Sequence, residues 1–213
     1  MSRSLVCVFL IYHAGRGRKE LVYAVKNCRA MGFGRHRGED GCTVAVGGSR
    51  EREQQMREYL RGAVLVPVPT SGSGVDEPGD SLWSSRDLAR SLAREYDVET
   101  QELLHRHTAI DKSSSGNAPR NLRRHIDSVE LTGPVPRGTI VLVDDLVATG
   151  STMCGCTEVI LAAAPWAQVK GFAVAYSLGA SDERLDFAAR KYEWDRLDGR
   201  PRNCMIPSPL SER

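Results

Sequence analysis

The chain has 213 residues, with 29 Lys plus Arg against 27 Asp plus Glu and a formal charge of +2, which excludes a protein that coats polyanions. Hydrophobic residues make up 41% and charged residues 26%, a globular balance at a length that suits a single domain over 1–213. No apolar run approaches the ~20 residues of a membrane-spanning helix, so a cytoplasmic protein with no membrane partner is expected.

The six cysteines include no C-x-x-C pair and read as reduced thiols. Cys154 and Cys156 sit two apart in an expected helix, where their side chains diverge, so a shared zinc is not expected. Leu5 to Tyr12 is an apolar run without a small-residue cleavage site, and reads as a buried strand rather than a signal peptide. Glu20 to Cys28 reads as a short amphipathic helix. The glycine-rich stretch from Met31 to Gly48 reads as loops around a strand at Thr43 to Val46. Ser49 to Arg61 is densely charged and helical in pattern.

Ala63 to Val68 is a near-continuous apolar run closed by Pro67 and Pro69, the pattern of a buried parallel strand ending at its carboxyl edge. A loop rich in Ser, Gly and Pro follows from Thr70 to Ser81. Leu82 to Tyr96 carries apolar residues at helical spacing, and Val98 to Leu104 suggests a short strand. His105 to Asn121 is basic and polar, and the expectation is a mobile loop. Gly138 to Val143 is a second buried strand, followed by Asp144-Asp145, a glycine turn and a helix from about Thr152 to Ala164. Val169 to Tyr176 is a third strand. The tail from Ser181 onward reads as partly helical, then irregular. Strands alternating with helices point to an α/β fold with a Rossmann-like parallel sheet flanked by helices.

The chemistry concentrates in Val141 to Thr152. Ligands of open α/β sheets bind beyond the carboxyl ends of the strands, and this segment puts two carboxylates there, then Ala148-Thr149-Gly150-Ser151-Thr152 at a helix start. Unpaired N–H groups, the helix dipole and three hydroxyls would hold a phosphate in that turn, with Gly150 allowing close approach. Asp144 and Asp145 would then accept from sugar hydroxyls or position a hydrated cation. An ordinary strand end followed by an ordinary helix cap is the plainer alternative.

The joint pattern resembles the signature by which type I phosphoribosyltransferases bind phosphoribosyl pyrophosphate. Lys26 after Leu21 to Val25, the strand ending Val66-Pro67-Val68-Pro69, the helix with Leu88-Ala89, and Arg106 and Thr108 ahead of Arg120-Asn121 are similar to successive landmarks of the ComF-like, amidophosphoribosyltransferase-related group. An N-terminal cysteine zinc ribbon, frequent in that group, is not expected here, and the chain reads Asp80-Ser81-Leu82-Trp83-Ser84 where a basic Arg-Gly-Phe-Asn-Gln stretch is usual. The latter change removes an expected pyrophosphate partner.

The resemblance implies a Mg²⁺-dependent transferase that moves a 5-phosphoribosyl group to a nitrogenous base or other small nucleophile, with release of pyrophosphate. It implies a 5-phosphate in Ala148 to Thr152, and ribose hydroxyls on Asp144 and Asp145, which meet the metal through those hydroxyls or water. Pyrophosphate falls to Pro69, Thr70, Ser71 and Gly72. A basic lid would run from His105 to Arg120, with Arg106 and Lys112 as catalytic cations, Arg120 binding substrate, and His107 a lesser candidate for proton transfer. A homodimer is implied, with a hood built from 1–50 and 181–213. The rival readings are a non-catalytic phosphoribosyl pyrophosphate-binding regulator or a ComF-like accessory factor in DNA uptake or repair. Near-neutral charge disfavours a nucleic-acid partner despite Arg35, Arg37 and the Arg123-Arg124 pair. A phosphohydrolase is disfavoured by the adjacent spacing of the two acids.

Overall fold

The computed structural model describes residues 3–11, 50–71, 83–110, 122–176, 186–195 and 197–206. The expected helix at 20–28 and strand at 43–46 lie outside them. Along the described chain come β1 (Arg3–Ile11), α1 (Arg50–Leu60), β2 (Ala63–Pro67), α2 (Ser84–Tyr96), β3 (Glu99–Thr100), β4 (Leu104–Arg106), α3 (Arg123–Ile126), β5 (Val129–Leu131), β6 (Thr139–Val147), α4 (Ser151–Ala163), β7 (Gln168–Tyr176), β8 (Asp186–Trp194) and β9 (Arg202–Ile206).

Seven strands form one sheet in the order β3-β2-β6-β7-β1-β8-β9, and β4 and β5 form a separate antiparallel pair. The first five strands in that order are mutually parallel, β8 runs antiparallel to β1, and β9 runs antiparallel to β8. The fold is therefore α/β, with a mostly parallel sheet flanked by helices.

Both faces of the sheet are covered, which is why its central strands are apolar throughout rather than alternating. In β6, Val141 and Val143 pack with Leu88, Leu92 and Met56 of α2 and α1. Ile140 and Leu142 pack on the opposite face with Met153, Cys156 and Ile160 of α4. Successive side chains leave opposite faces of a strand, so one run serves two cores. Each fully buried Leu, Ile or Val contributes roughly 1.5–3 kcal/mol.

Three expectations are corrected. The described part of the tail from residue 186 is strand rather than helix: β8 lies beside β1, with Tyr192 opposite Leu5 and Trp194 opposite Arg3. Tyr192 and Trp194 alternate inward onto the α4 side, but four charged residues in Asp186–Trp194 hide that two-residue period. Of the hood expected from 1–50 and 181–213, the described strands β1, β8 and β9 belong to the main sheet. The expected strand at 98–104 splits, because β3 joins β2 in the main sheet whereas β4 pairs with β5.

Candidate functional site

The strand order reverses between β2 and β6. From β2 the chain moves outward through α2 to β3, and from β6 it moves the other way through α4 to β7. Such a switch point opens a crevice at the carboxyl edge of the sheet. Here it is deepened by unequal strand lengths. The β2–β6 ladder stops at Pro67 opposite Val143, while β6 continues beside β7 until Val147 meets Tyr176. Among the described residues the last bond from this end of β2 to β6 is Val68 N–H to the Val143 carbonyl at 2.9 Å. Asp144 and Asp145 thus stand within β6, not after it as the sequence suggested, on the stretch that β2 has left.

The two acids diverge. Asp145 shares a face with Val143 and accepts at Oδ2 from the Ser84 hydroxyl, at the first turn of α2, at 3.0 Å. Its Oδ1 accepts from Leu146 N–H at 2.7 Å. Asp144 shares a face with Leu142, accepts from Asp145 N–H at 2.9 Å, and lies close enough to Arg106, Cys156 and Cys7 to act on them electrostatically. Both carboxyls are half-buried.

The exit from β2 is held from several sides. The Val68 carbonyl accepts from Trp83 Nε1 at 2.9 Å and from the Ser85 hydroxyl at 2.5 Å. Thr70 O accepts from Arg106 Nε at 2.5 Å, and Ser71 O from Ile110 N–H at 3.0 Å. Arg106 is therefore not a lid cation. It is 2% exposed on β4, with its guanidinium turned inward, and burial lowers its pKa. His107 is exposed and contacts Thr108 Oγ1 at 2.9 Å, but its backbone is bound to Ser128 O at 3.1 Å. The start of the expected mobile loop is therefore anchored. Gly72, Lys112, Arg120 and Lys26 lie outside the described residues.

The hydroxyl turn enters α4 as expected. Gly150, with φ +78°, is the N-cap and offers no side chain of its own, and Thr149 Oγ1 accepts from Ser151 N–H at 3.5 Å. Ala148 is exposed, Thr149 and Thr152 are half-buried, and Ser151 is buried with its Oγ 3.1 Å from Thr149 Oγ1. Backbone N–H groups at such a helix start suit an anion. The reason for glycine needs correcting, however. A Cβ at Gly150 would lie 2.2 Å from the Tyr192 ring, so the absent side chain makes room for β8. Tyr192 is fully buried, and its hydroxyl finds no hydrogen-bond partner among the described residues.

No family model and no curated protein matches the chain. Among solved structures it is similar to two adenine phosphoribosyltransferases. That from Leishmania tarentolae is 14% identical with a TM-score of 0.31, covering 77% of this chain and 90% of that one. That from Leishmania donovani is 15% identical, also at 0.31, covering 80% and 89%. Likeness at this level assigns no chemistry, so the site is read from its own residues.

Beneath Asp144 lies a polar cluster that sequence reasoning missed. Arg106 Nη1 donates to Ser128 Oγ, which donates to the His125 carbonyl at 3.2 Å. His125 packs on Gly155 so closely that a Cβ there would be 2.5 Å from its own. A glycine inside an expected helix was the available signal for that approach. The thiols of Cys7, Cys154 and Cys156 are buried and pushed up, the last to about 12, so none is a thiolate nucleophile at neutral pH.

Burial first, then Arg106 and Arg124, push His125 down to about 3, below the ~6.5 of an exposed histidine. Above pH ~6.5 the ring is neutral whether the chain is folded or not, and its contribution is intact. Below that the unfolded chain takes up a proton that the folded chain refuses, so stability falls toward pH 3 by up to about 1.4 kcal/mol per unit. Urea unfolding at pH 7 and pH 5 should show a smaller acid loss in His125→Asn than in the parent.

Proposed function

We propose that this crevice binds phosphoribosyl pyrophosphate and that the chain is a phosphoribosyltransferase acting on a small nitrogenous acceptor. The observation that carries this reading is the sheet's switch point, where a carboxylate pair and a helix start with three hydroxyls stand on one strand-turn-helix segment. Anchoring the 5-phosphate at 148–152 supplies binding energy remote from the reacting carbon, which orients C1. Asp145 and Asp144 accept from ribose hydroxyls and favour positive charge developing on the ring. The exit loop at Pro69 to Ser71 faces the diphosphate with small residues.

The donor set suits Mg²⁺, a hard cation that retains waters. Three carboxylate oxygens already accept protein hydrogen bonds, so Asp144 and Asp145 would hold the ion through water or ribose hydroxyls. When bound it would neutralise the diphosphate.

A second reading, a non-catalytic sensor of the same phosphosugar, is favoured by one feature. Arg106 is locked into the core and the 80–84 stretch lacks the usual arginine, so the leaving group has fewer cations to meet. Calorimetry with phosphoribosyl pyrophosphate and Mg²⁺, alongside pyrophosphate release over a panel of bases and amines, separates the two. Release with a single acceptor names the enzyme. Binding without release leaves the sensor, and no binding removes both.

A further inference from the structure

Arg106 joins two parts of the molecule that share no strand pairing. Its Nε reaches the Thr70 carbonyl of the β2 exit at 2.5 Å, and its Nη1 reaches Ser128, which precedes β5. Ile110 N–H to Ser71 O at 3.0 Å makes a second stitch beside the first. The Thr70 carbonyl is thereby drawn toward β4, and the Ser71 carbonyl toward the segment that follows it. Because the peptide is planar and trans, a carbonyl pulled one way turns the next N–H the other way, and the Ser71 N–H is directed away from Arg106. Nη2 has no partner among the described residues. A buried guanidinium left with a spare donor is a poor device for stability alone.

Resting on the phosphosugar reading above, we infer that Arg106 is a positioning residue that shapes the Thr70–Ser71 loop to receive the diphosphate end of the ligand. It acts through the Thr70 carbonyl, and the monophosphate end, held at 148–152, does not depend on it. Lysine keeps the charge but cannot span two acceptors as a planar fork does.

The test compares the parent with Arg106→Met, Arg106→Lys and Ser128→Ala. Hydrogen exchange at Ile110 in the ligand-free chain reads the loop. Calorimetry reads affinity for inorganic pyrophosphate, phosphoribosyl pyrophosphate and ribose 5-phosphate, all with Mg²⁺. Arg106→Met should speed exchange at Ile110 and weaken the two diphosphate ligands roughly tenfold or more, with ribose 5-phosphate changed by less than about twofold. Arg106→Lys should reproduce that pattern. Ser128→Ala keeps the Thr70 contact, so it should show a smaller loss of the same kind, and it carries the test if the methionine variant does not fold. Equal weakening of all three ligands, full recovery by lysine, or unchanged exchange at Ile110 would each overturn the inference. If the parent binds none of the three, the phosphosugar reading fails and takes the ligand half of the inference with it, while exchange still decides whether Arg106 holds the loop.

Discussion

Gly150→Ala should be a strongly damaging small substitution, lowering stability by roughly 2–5 kcal/mol in urea unfolding. Two independent costs add. The backbone sits at φ +78°, where an L side chain costs about 1–2 kcal/mol. The new methyl would also stand 2.2, 2.5 and 2.9 Å from three ring atoms of Tyr192, a side chain with no solvent to swing into. Relief requires β8 or α4 to shift, and overpacking of this kind costs about 1–3 kcal/mol. A folding domain has only about 5–15 kcal/mol in hand. The two costs separate in a double-mutant cycle with Tyr192→Leu. Removing the ring should recover the overpacking part, about 1–3 kcal/mol of the alanine penalty, and leave the backbone part. An alanine penalty of the same size in both backgrounds would show that the ring is not the obstacle.

The acid pair should separate into two different defects. Asp145→Asn removes a charge whose protein partners are a hydroxyl and one N–H, so the fold should lose less than about 1 kcal/mol. Phosphoribosyl pyrophosphate affinity should fall by roughly tenfold to a hundredfold, the worth of charge-assisted bonds to ribose hydroxyls. Asp144→Asn should weaken binding too, and should also destabilise the chain more than Asp145→Asn does, because Asp144 is among the charges that offset the buried Arg106. Urea unfolding beside calorimetry reads both quantities. Equal stability losses in the two variants would contradict the electrostatic support that Asp144 gives Arg106, and unchanged affinity in Asp145→Asn would remove the pentose from the crevice.

The α/β architecture was legible because its cause is local and repeated. Ala63–Pro67 and Ile140–Val143 are apolar without alternation, and only a strand covered on both faces requires that. The helix at Ser84–Tyr96 was equally plain, since Leu88, Leu92 and Tyr96 follow its period. The strand-turn-helix carrying Asp144, Asp145 and Gly150 was legible for the same reason, as its residues are consecutive.

What consecutive residues cannot express is who arrives from elsewhere. β8 was missed because an edge-side antiparallel strand tolerates charge, and Arg190, Lys191 and Glu193 mask the alternation of Tyr192 and Trp194. That Gly150 yields to Tyr192 follows from the strand β8 adds next to β1. Arg106 in a basic, polar stretch looks like a solvent-facing cation, and only the pairing of Arg106 with Val129 turns it under the β2 loop. Ser84 and Ser128 carry no pattern of their own; each matters through one partner more than twenty residues away. Residue type and spacing therefore determined the layers and the loop where chemistry sits, because burial acts on short periodic runs. Tertiary structure decided which face each acid takes and which side chains brace them, because those are settled by long-range packing of strands whose order the chain does not spell out.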